Sequence, residues 1–455
     1  MQDWQAVRQK QIDFFKEGHT LPIEARKEQL KSMRRLLKEN EKELSEALRL
    51  DFNKSAFECF LTEINPLFHS IQEALENIYA WSSPRGIALD QRIHFWSRAK
   101  VASQPKGNAL IFAPWNYPIN LVFHPMVAAL AAGCTVLIKP SENVPHTSRL
   151  IQKLCSIYFP EEWVYCVLGE VDTAKELLKE SWDHIFFTGS TPVGKSVMIA
   201  AAQTLSPVTL ELGGKCPVVI HKNANLKIAV KRIAWAKILN AGQTCVAPDH
   251  IWVDKSILSD LLPLLKKELK KQFSSLIQEG TACSLVDRKA FDRMKGLLSD
   301  LEHEKLGEIQ EESLHFPPTI VLDPSKDARL MKEEIFGPIL PIFSFEDESE
   351  VRESIERLGH PLAIYLFGHS KRELRVWQNK TRSGAIVLNE LIMQLASEHL
   401  PFGGIGNSGM GQYHGKAGFD TFSFQRTILS KISWLELPIR YAPYGSKLKW
   451  IKKLI

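Results

Sequence analysis

The chain has 455 residues, 44% of them hydrophobic and 24% charged, which is the composition of a globular protein too long for one simple core. Its 57 basic and 52 acidic residues leave a net charge of +5, an excess too small over this length to indicate a nucleic-acid-binding protein. The seven cysteines include no Cys-x-x-Cys pair, so neither a disulfide framework nor a zinc or other metal site is predicted, and the reducing cytoplasm fits best.

The N-terminal region has the pattern of charged amphipathic helices. Residues 3–50 predict two or three of them, for example Glu24–Glu39, and Ser55–Trp81 continues the pattern. The charged start of the chain is unlike a secretory signal peptide. A Pro-Arg-Gly segment then breaks the helix, and Arg92–Trp96 and Ala99–Gln104 predict a two-stranded arm whose exposed edge requires a partner.

From residue 108 the pattern alternates between apolar strands and helices, which indicates a parallel, doubly wound sheet that binds ligands at the carboxyl ends of its strands. The longest apolar stretch, Leu121–Ile138, is split by Gly133 into a helix and a strand, so no membrane span is expected. A second alternating region after residue 213 predicts a second α/β domain. The predicted strands are Asn108–Ala113, Cys134–Lys139, Trp163–Leu168, His184–Thr188, Val208–Leu212, Pro217–Ile220, Ile251–Val253, Pro318–Val321, Leu362–Phe367 and Ala385–Leu388.

The strongest candidate nucleophile follows the predicted helix Leu226–Leu239. There the stretch Asn240–Pro248 presents Cys245 at the start of an irregular turn, where its thiolate would be very reactive. Taken alone, a buried structural cysteine would be the commoner interpretation. Upstream, however, Glu211 ends an apolar strand just before two glycines, and a carboxylate there could activate water near the thiol.

A candidate oxyanion donor closes the strand that begins at Asn108. In Pro114-Trp115-Asn116-Tyr117-Pro118, two prolines hold the loop and leave Asn116 free to point outward. An Asn side-chain N–H can stabilise the oxyanion that forms when a thiolate adds to a carbonyl, and one such donor is worth about 3–4 kcal/mol in a transition state. The structural alternative is an ordinary turn asparagine.

A candidate phosphate site lies in His184–Lys195, which predicts a strand, a glycine turn and a helix start. Gly189 would allow a tight turn, and Ser190 or Thr191 could cap the helix. The first-turn N–H groups and the helix dipole would then attract an anion. Gly189 and Gly194 are spaced as Gly-x-x-x-x-Gly, which differs from both the usual dinucleotide fingerprint and the Walker loop.

Two more motifs carry candidate cofactor ligands. Lys139 and Glu142 follow a strand and would lie at the carboxyl edge of the sheet, where they could bond ribose hydroxyls, although an ordinary charged loop is the alternative. Lys332–Pro338 contains Glu334 and Phe336, and alone it would be interpreted as a helix end with a hydrophobic staple.

Together, these motifs resemble the signatures of the aldehyde dehydrogenase superfamily. The matching segments are Glu-Leu-Gly-Gly at 211–214, Gly-Gln-Thr-Cys at 242–245, and Pro-Phe-Gly-Gly with Ser-Gly-Met-Gly within 401–411. Tyr-His-Gly at 413–415 most resembles the class 3 branch, which includes enzymes for aromatic and medium- to long-chain fatty aldehydes. The resemblance covers residues 3–445.

The resemblance implies roles for these residues. Cys245 would form a thiohemiacetal and then a thioester, Glu211 would be the general base, and Asn116 with the Cys245 N–H would hold the oxyanion. NAD or NADP would be the cofactor; Glu142 usually favours NAD, but class 3 members often use both, so the preference stays open. The implied cofactor-binding residues are Trp115, Lys139, Glu142, Gly189, Ser190, Gly194, Glu334 and Phe336.

The resemblance also implies two Rossmann-like, doubly wound α/β domains with a β-arm that lies against the partner in a homodimer. The basic segment Lys447–Ile455 is too short to span a membrane; a disordered tail is the better expectation, and contact with an anionic membrane surface is the alternative. The expected divisions are 1–83 with 103–212 for the cofactor domain, 213–410 for the thiol domain, and 84–102 with 420–445 for the arm and C-terminal extension.

Two other functions remain open from the sequence. One is a thiol enzyme of the same fold that acylates coenzyme A or reduces acyl donors, although Glu211 favours water as the acyl acceptor. The other is a non-catalytic relative, which the joint presence of Cys245, Glu211 and Asn116 disfavours. The sequence leaves the aldehyde itself unidentified, with Tyr117 and Trp235 as candidate pocket residues.

Overall fold

The computed structural model describes residues 3–91, 93–436 and 438–454. Its strands, numbered along the chain, are β1 (Arg85–Ile87), β2 (Ser97–Pro105), β3 (Asn108–Phe112), β4 (Thr135–Lys139), β5 (Val164–Cys166), β6 (His184–Gly189), β7 (Val208–Leu212), β8 (Pro217–Ile220), β9 (His250–Asp254), β10 (Glu304–Lys305), β11 (Thr319–Leu322), β12 (Ile339–Phe345), β13 (Ala363–Phe367), β14 (Ala385–Leu388), β15 (Gly409–Met410) and β16 (Ser423–Lys431).

Helices surround these strands. The α-helices are α1 (Asp3–Lys16), α2 (Ile23–Glu39), α3 (Glu41–Phe52), α4 (Ala56–Cys59), α5 (Asn65–Ser82), α6 (Asn120–Ala132), α7 (Pro145–Tyr158), α8 (Val171–Leu177), α9 (Thr191–Thr204), α10 (Leu226–Ile238), α11 (Leu258–Glu279), α12 (Arg288–Leu297), α13 (Arg329–Lys332), α14 (Glu348–Leu358), α15 (Lys371–Lys380), α16 (Gly415–Thr421) and α17 (Lys447–Leu454). A π-helical turn, Phe60–Ile64, joins α4 to α5, and short 3-10 turns lie at Leu239–Gly242, Lys255–Ile257, Met393–Ala396 and Pro438–Arg440.

The first large sheet has the order β15-β7-β6-β3-β4-β5. All of its strands run parallel except β15, which pairs antiparallel with β7. Alternate residues of β3 enter two different cores: Ala109 and Ile111 pack in one, and Leu110 and Phe112 in the other. Because successive side chains of a strand point to opposite faces, this sheet is covered on both sides, as a doubly wound sheet must be.

The second large sheet has the order β10-β11-β12-β9-β8-β13-β14, and only the β10–β11 pair is antiparallel. Its strands also alternate between two cores, since Val219 and Trp252 pack in the core that holds Ala109, whereas Val218 and Ile251 pack in a separate one. One hydrophobic core therefore continues from the first sheet to the second and holds the two halves together.

The third sheet, β1-β2-β16, forms the arm. Strand β16 pairs antiparallel with β2 along nine residues, from Ser423 opposite Pro105 to Lys431 opposite Ser97. The expected strand Arg92–Trp96 was wrong. Of that range, 93–96 forms turns, with Trp96 in the left-handed region (φ 53°), and Arg92 lies outside the described residues.

The predicted fold class is confirmed, and every predicted strand from 108 to 388 lies within two residues of an observed one. At the C-terminus the expectation of a disordered tail was wrong: α17 is helical, and the Lys447 ammonium donates to the main-chain oxygens of Pro438 (2.9 Å) and Tyr441 (2.8 Å). Among the described residues, no helix combines the length and the apolar character that crossing a bilayer requires.

Candidate active site

The edge of the first sheet collects most of the predicted site residues. Strands β4, β3, β6 and β7 are parallel neighbours, so their carboxyl ends meet at one edge. Trp115 and Asn116 follow β3, Ser190 follows β6, and Glu211 lies near the end of β7. The thiol comes from the second half of the chain, where Cys245 begins a turn after α10 and the 3-10 turn Leu239–Gly242.

These elements enclose a cavity of about 750 Å³, within the size range of small-molecule and cofactor sites. Eight of the eleven residues predicted to be catalytic or cofactor-binding line it. They are Trp115, Asn116, Gly189, Ser190, Glu211, Cys245, Glu334 and Phe336.

Cys245 is half-buried at the wall of this cavity. The chain reaches it through Asn240 and Ala241, both in the left-handed region (φ 52° and 53°), and such strained backbone is often found at functional sites. Burial, and the nearby carboxylates of Glu334 and Glu211, raise the pKa of the Cys245 thiol to about 12, against the lowering effect of the Cys245 and Val246 N–H groups. In this state of the protein the thiol is therefore protonated at neutral pH.

Asn116 does not point freely outward as the sequence suggested; it is buried. Its Nδ2 donates to the main-chain oxygen of Gln243 (3.0 Å), and its own main-chain oxygen accepts from Asn240 Nδ2 (2.9 Å) and from the Lys54 ammonium (3.2 Å). An asparagine amide has two N–H bonds. Only one is needed by Gln243, so the other can serve a substrate oxygen.

Glu211 is a buried carboxyl group on the cavity wall, and neither of its carboxylate oxygens has a hydrogen-bond partner among the described residues. Burial raises its pKa well above that of an ordinary glutamate. A buried carboxylate without partners is costly unless something else satisfies it, so the group is arranged to bind water or a ligand in the cavity. Its raised pKa makes it a stronger base when ionised.

The residues present fit a dinucleotide phosphate at the start of α9. Ser190 occupies the N-cap position, but its hydroxyl accepts no capping bond, so the first-turn N–H groups are left for an anion. The Thr191 hydroxyl instead donates to the main-chain oxygen of Asn407 (3.1 Å). At Gly189 an added Cβ would lie 2.6 Å from the Phe187 ring, so this turn has no room for a side chain.

A second cofactor-facing segment is the loop that carries Glu334 and Phe336. Phe336 has a φ of 48° and contacts the Trp115 ring edge to face, with 5.4 Å between ring centroids. Burial and the charge of Asp249 raise the pKa of the Glu334 carboxyl to about 8. Arg293 holds the loop by donating to the main-chain oxygens of Ile335 (2.7 Å) and Glu334.

Three of the predicted cofactor residues do not line the cavity. Lys139 and Glu142 form an ion pair with each other (2.8 Å). Gly194 faces the neighbouring strand, since a Cβ there would lie 2.5 Å from the Leu212 side chain, so it allows α9 to approach β7 closely. Of the two candidate pocket residues, Tyr117 is buried with its hydroxyl 2.6 Å from Thr244 Oγ1, and Trp235 is half-buried against the second core.

Several lining residues were missed by the sequence analysis. Thr188 presents a buried hydroxyl without a partner among the described residues, and Arg293 holds the Glu334 loop. Phe402 and Tyr413 also line the cavity; both lay inside motifs matched to the family, but neither was given a site role. Thr188 lay inside a motif already singled out, whereas Arg293 lies on α12, a helix that the sequence analysis did not identify.

The sequence matches the family described as "Aldehyde dehydrogenase family" over residues 3–428. It is 38% identical over 452 residues to the 4,4'-diaponeurosporen-aldehyde dehydrogenase of Staphylococcus aureus, covering 98% of each chain. It is also 38% identical to the dimeric NADP-preferring aldehyde dehydrogenase of Rattus norvegicus, with 92% of each chain covered. A solved structure of a substrate-bound Staphylococcus aureus AldH superposes with a TM-score of 0.96 at 37% identity, over 100% of this chain and 99% of that one.

These matches agree with the geometry of the cavity. They confirm the predicted fold and an enzyme that oxidises an aldehyde with NAD or NADP. The chain belongs to the aldehyde dehydrogenase family.

Proposed function

We propose that Cys245, Glu211 and Asn116 are the catalytic residues that convert an aldehyde to its carboxylic acid. The observation that carries this proposal is that a thiol, a carboxyl group without partners and a buried amide donor line one cavity. Each of these groups has a different task in covalent oxidation of an aldehyde, and no other group is needed to form or break the covalent bond.

The first half of the reaction forms a thioester. The Cys245 thiol loses its proton to solvent through the cavity that it lines. The thiolate adds to the aldehyde carbon, and the oxygen becomes an oxyanion. Asn116 Nδ2 and the Cys245 N–H donate to that oxygen. Bound NAD or NADP supplies the acceptor for the hydride that leaves the same carbon, which gives the thioester.

The second half releases the acid. Glu211 removes a proton from a water molecule, whose oxygen adds to the thioester carbon. Asn116 again holds the oxyanion, the carbon–sulfur bond breaks, the Cys245 thiolate is regenerated, and Glu211 releases the proton to solvent. The carboxyl group suits this step because neither oxygen is committed to a partner among the described residues.

For the cofactor, we propose that Gly189, Ser190 and the start of α9 hold a phosphate group. Trp115, Glu334 and Phe336 would hold the nicotinamide end, because all three line the cavity that contains Cys245. Lys139, Glu142 and Gly194 complete the proposed cofactor-binding set, with Lys139 and Glu142 as contacts for the adenine-side ribose. This assignment follows from the position of Lys139 at the carboxyl end of β4, beside β3.

We further propose a medium- to long-chain aliphatic or an aromatic aldehyde as the substrate. The lining of the cavity that contains Cys245 includes the apolar and aromatic side chains of Leu121, Leu362, Phe402 and Tyr413. Such a wall favours an aldehyde with an apolar substituent over a small or charged one.

The proposed assembly is a cytoplasmic homodimer formed through the arm. Strand β16 pairs with β2 on one side and has no second neighbour among the described strands, so its other edge can accept a partner strand. The proposed divisions are the cofactor domain at 1–83 and 103–212, the thiol domain at 213–410, and the arm and extension at 84–102 and 420–445.

The experiment is an aldehyde panel that spans chain length and includes aromatic members, assayed with NAD and with NADP by the absorbance of the reduced cofactor. Coenzyme A is present in a parallel series, and the product is identified by mass spectrometry. We expect the carboxylic acid in both series, and higher kcat/KM for apolar aldehydes. Formation of acyl-coenzyme A instead of acid would contradict the proposed activation of water by Glu211. A kcat/KM that does not change with chain length would contradict the proposed substrate class.

A further inference from the structure

A fully buried ion pair lies behind the loop that carries Asn116. The Lys54 ammonium lies 2.6 Å from Glu63 Oε1, and both side chains are 0% exposed. Lys54 follows the end of α3, and Glu63 belongs to the π-helical turn Phe60–Ile64. Single π-helical turns are uncommon and occur frequently at functional sites.

The hydrogen bonds that this pair makes to other groups all go to the segment around Asn116, and the Lys54 ammonium also lies 4.8 Å from the centre of the Phe52 ring. Lys54 donates to the main-chain oxygen of Asn116 (3.2 Å), and its ammonium lies 4.3 Å from the centre of the Tyr117 ring. Glu63 Oε2 accepts from the N–H groups of Ile119 (3.1 Å) and Asn120 (3.0 Å), at the start of α6. The two charges therefore hold the loop on both sides of the Asn116 side chain, one through a carbonyl group and the other through a helix start.

A second buried carboxyl group extends this contact to the thiol loop. Glu58 Oε1 accepts from the Asn240 N–H (2.8 Å), and the Asn240 side chain donates to the main-chain oxygens of Asn116 (2.9 Å) and Gln243 (3.1 Å). Asn240 adopts a left-handed backbone two residues before Gly242. The main-chain oxygen of Asn116 is thus held by two donors, one from each half of the protein.

Burying an ion pair costs desolvation free energy, and apolar residues of similar volume often stabilise a core as well or better. Although burial alone would lower the pKa of Lys54, the charges of Glu63 and Glu58 raise it, so the ammonium stays charged. The charges of the pair are directed at the main-chain groups that flank Asn116, which is consistent with control of its position rather than simple packing.

We propose that Lys54 and Glu63 are positioning residues that set the place of the Asn116 amide for oxyanion stabilisation. This inference rests on the proposed function, in which Asn116 donates to the substrate oxygen. Neither residue lines the cavity, so both act through Asn116 rather than on the substrate.

The test uses the double variant Lys54→Met/Glu63→Gln, which removes both charges without leaving one of them buried alone. The measured quantities are the rate of the thioester-forming step, read as the first burst of reduced cofactor, the KM for the aldehyde and the Kd for the cofactor. We expect the burst rate to fall roughly ten- to a hundred-fold, as for small displacements of a catalytic group, while KM and Kd stay within about two-fold. Glu63→Gln alone keeps an acceptor oxygen and leaves the Lys54 ammonium beside the second carboxyl group, Glu58, so its burst rate is expected to fall less.

A matched control is Arg26→Met. Arg26 is also buried and donates to main-chain oxygens, including that of Ala131 (3.4 Å) at the opposite end of α6. The substitution Arg26→Met should lower the thermal unfolding temperature but leave the burst rate unchanged. If the burst rate falls by the same factor in Arg26→Met and in the double variant, the loss reflects general destabilisation and the proposal is wrong.

The deciding measurement repeats the double variant in an Asn116→Ala background. If the pair acts through Asn116, its effect on the burst rate should disappear there. An undiminished effect would overturn the positioning role. A wild-type burst rate for Asn116→Ala alone would instead refute the proposed role of Asn116, so the two failures are distinguishable. Should the double variant not fold, Glu63→Gln enters the same comparison.

Discussion

Asn116 Nδ2 lies 3.0 Å from the main-chain oxygen of Gln243, two residues before Cys245. This bond joins the loop after β3 of the first sheet to the turn after α10 that carries the thiol. The proposed oxyanion donor and the proposed nucleophile are therefore positioned relative to each other by a direct contact between the two halves of the protein. Such fixed geometry before substrate arrives is what electrostatic stabilisation of a transition state requires.

The first prediction concerns the nucleophile. Cys245→Ala should reduce aldehyde-dependent formation of reduced cofactor to below about a thousandth of wild type, because no other group can form the thioester. Cys155→Ala, which removes another buried free thiol on α7, is the control and should remain close to wild type. Steady-state turnover by Cys245→Ala at a tenth of the wild-type rate would contradict the assignment.

The second prediction concerns release of the acid. Glu211→Gln keeps the shape of the side chain but cannot take a proton from water, so one equivalent of reduced cofactor should form rapidly and turnover should then stall. The measurement is stopped-flow absorbance with enzyme in near-stoichiometric amounts. The control is Glu333→Gln. Glu333 also lines the cavity but pairs with Arg293 (3.5 Å), so this variant should turn over continuously. Absence of a burst in Glu211→Gln would assign the carboxyl group to the first half of the reaction.

The third prediction is a pH dependence of thiol alkylation without cofactor. Since the pKa of Cys245 is raised to about 12, its rate of reaction with iodoacetamide should climb steadily without a plateau below about pH 10. Glu334→Gln removes one of the charges that raise this pKa, so alkylation should become faster. The gain should appear only above about pH 8, because below it the Glu334 carboxyl is protonated and already neutral. A plateau near neutral pH would show that the pKa of Cys245 is not raised. Slower alkylation of Glu334→Gln would show that the Glu334 charge does not raise it.

The fourth prediction concerns the phosphate turn. In Gly189→Ala the added Cβ would lie 2.6 Å from the buried Phe187 ring, so the turn or the ring must move. We expect the Kd for NAD or NADP, measured by calorimetry, to rise about ten-fold or more. Gly86→Ala is the control, since nothing lies within 4 Å of its added Cβ. Unchanged affinity in Gly189→Ala would remove this turn from the cofactor site.

Much of the fold could be predicted because the strands of doubly wound sheets are short apolar runs between helices. Val208–Leu212 and Pro217–Ile220 were predicted at their observed bounds. The interior strand β12 was missed, since Pro341 lies inside it and a proline argues against a strand with neighbours on both sides. The false strand Arg92–Trp96 is rich in β-favouring residues, but Trp96 stacks on Phe95 in a turn, with ring centroids 4.5 Å apart, instead of pairing with a neighbouring strand.

The site could be predicted where its residues lie in compact motifs at strand ends. Cys245, Glu211 and Asn116 were found in this way, and all three reach one cavity. Lys54 and Glu63 could not be found, because a charged residue in an amphipathic pattern is normally solvated and only the folded chain reveals that both are fully buried. Their contacts with the Asn116 loop join residues that are 56 to 62 positions apart in the chain, and no local sequence pattern predicts such contacts.

The position of β15 in the chain affects the order in which the first sheet can form. Gly409 pairs with Glu211, so β7 acquires its second neighbour only after the chain has finished the second sheet and returned to the first. Until then, the strand that bears the proposed base is an open edge, with unpaired main-chain groups beside an unfinished cavity. A chain emerging from the ribosome would therefore complete its reactive centre only after residue 410 has been made. A fragment that stops before this return would expose an unpaired strand edge that can associate with other chains, and it would have no complete catalytic pocket.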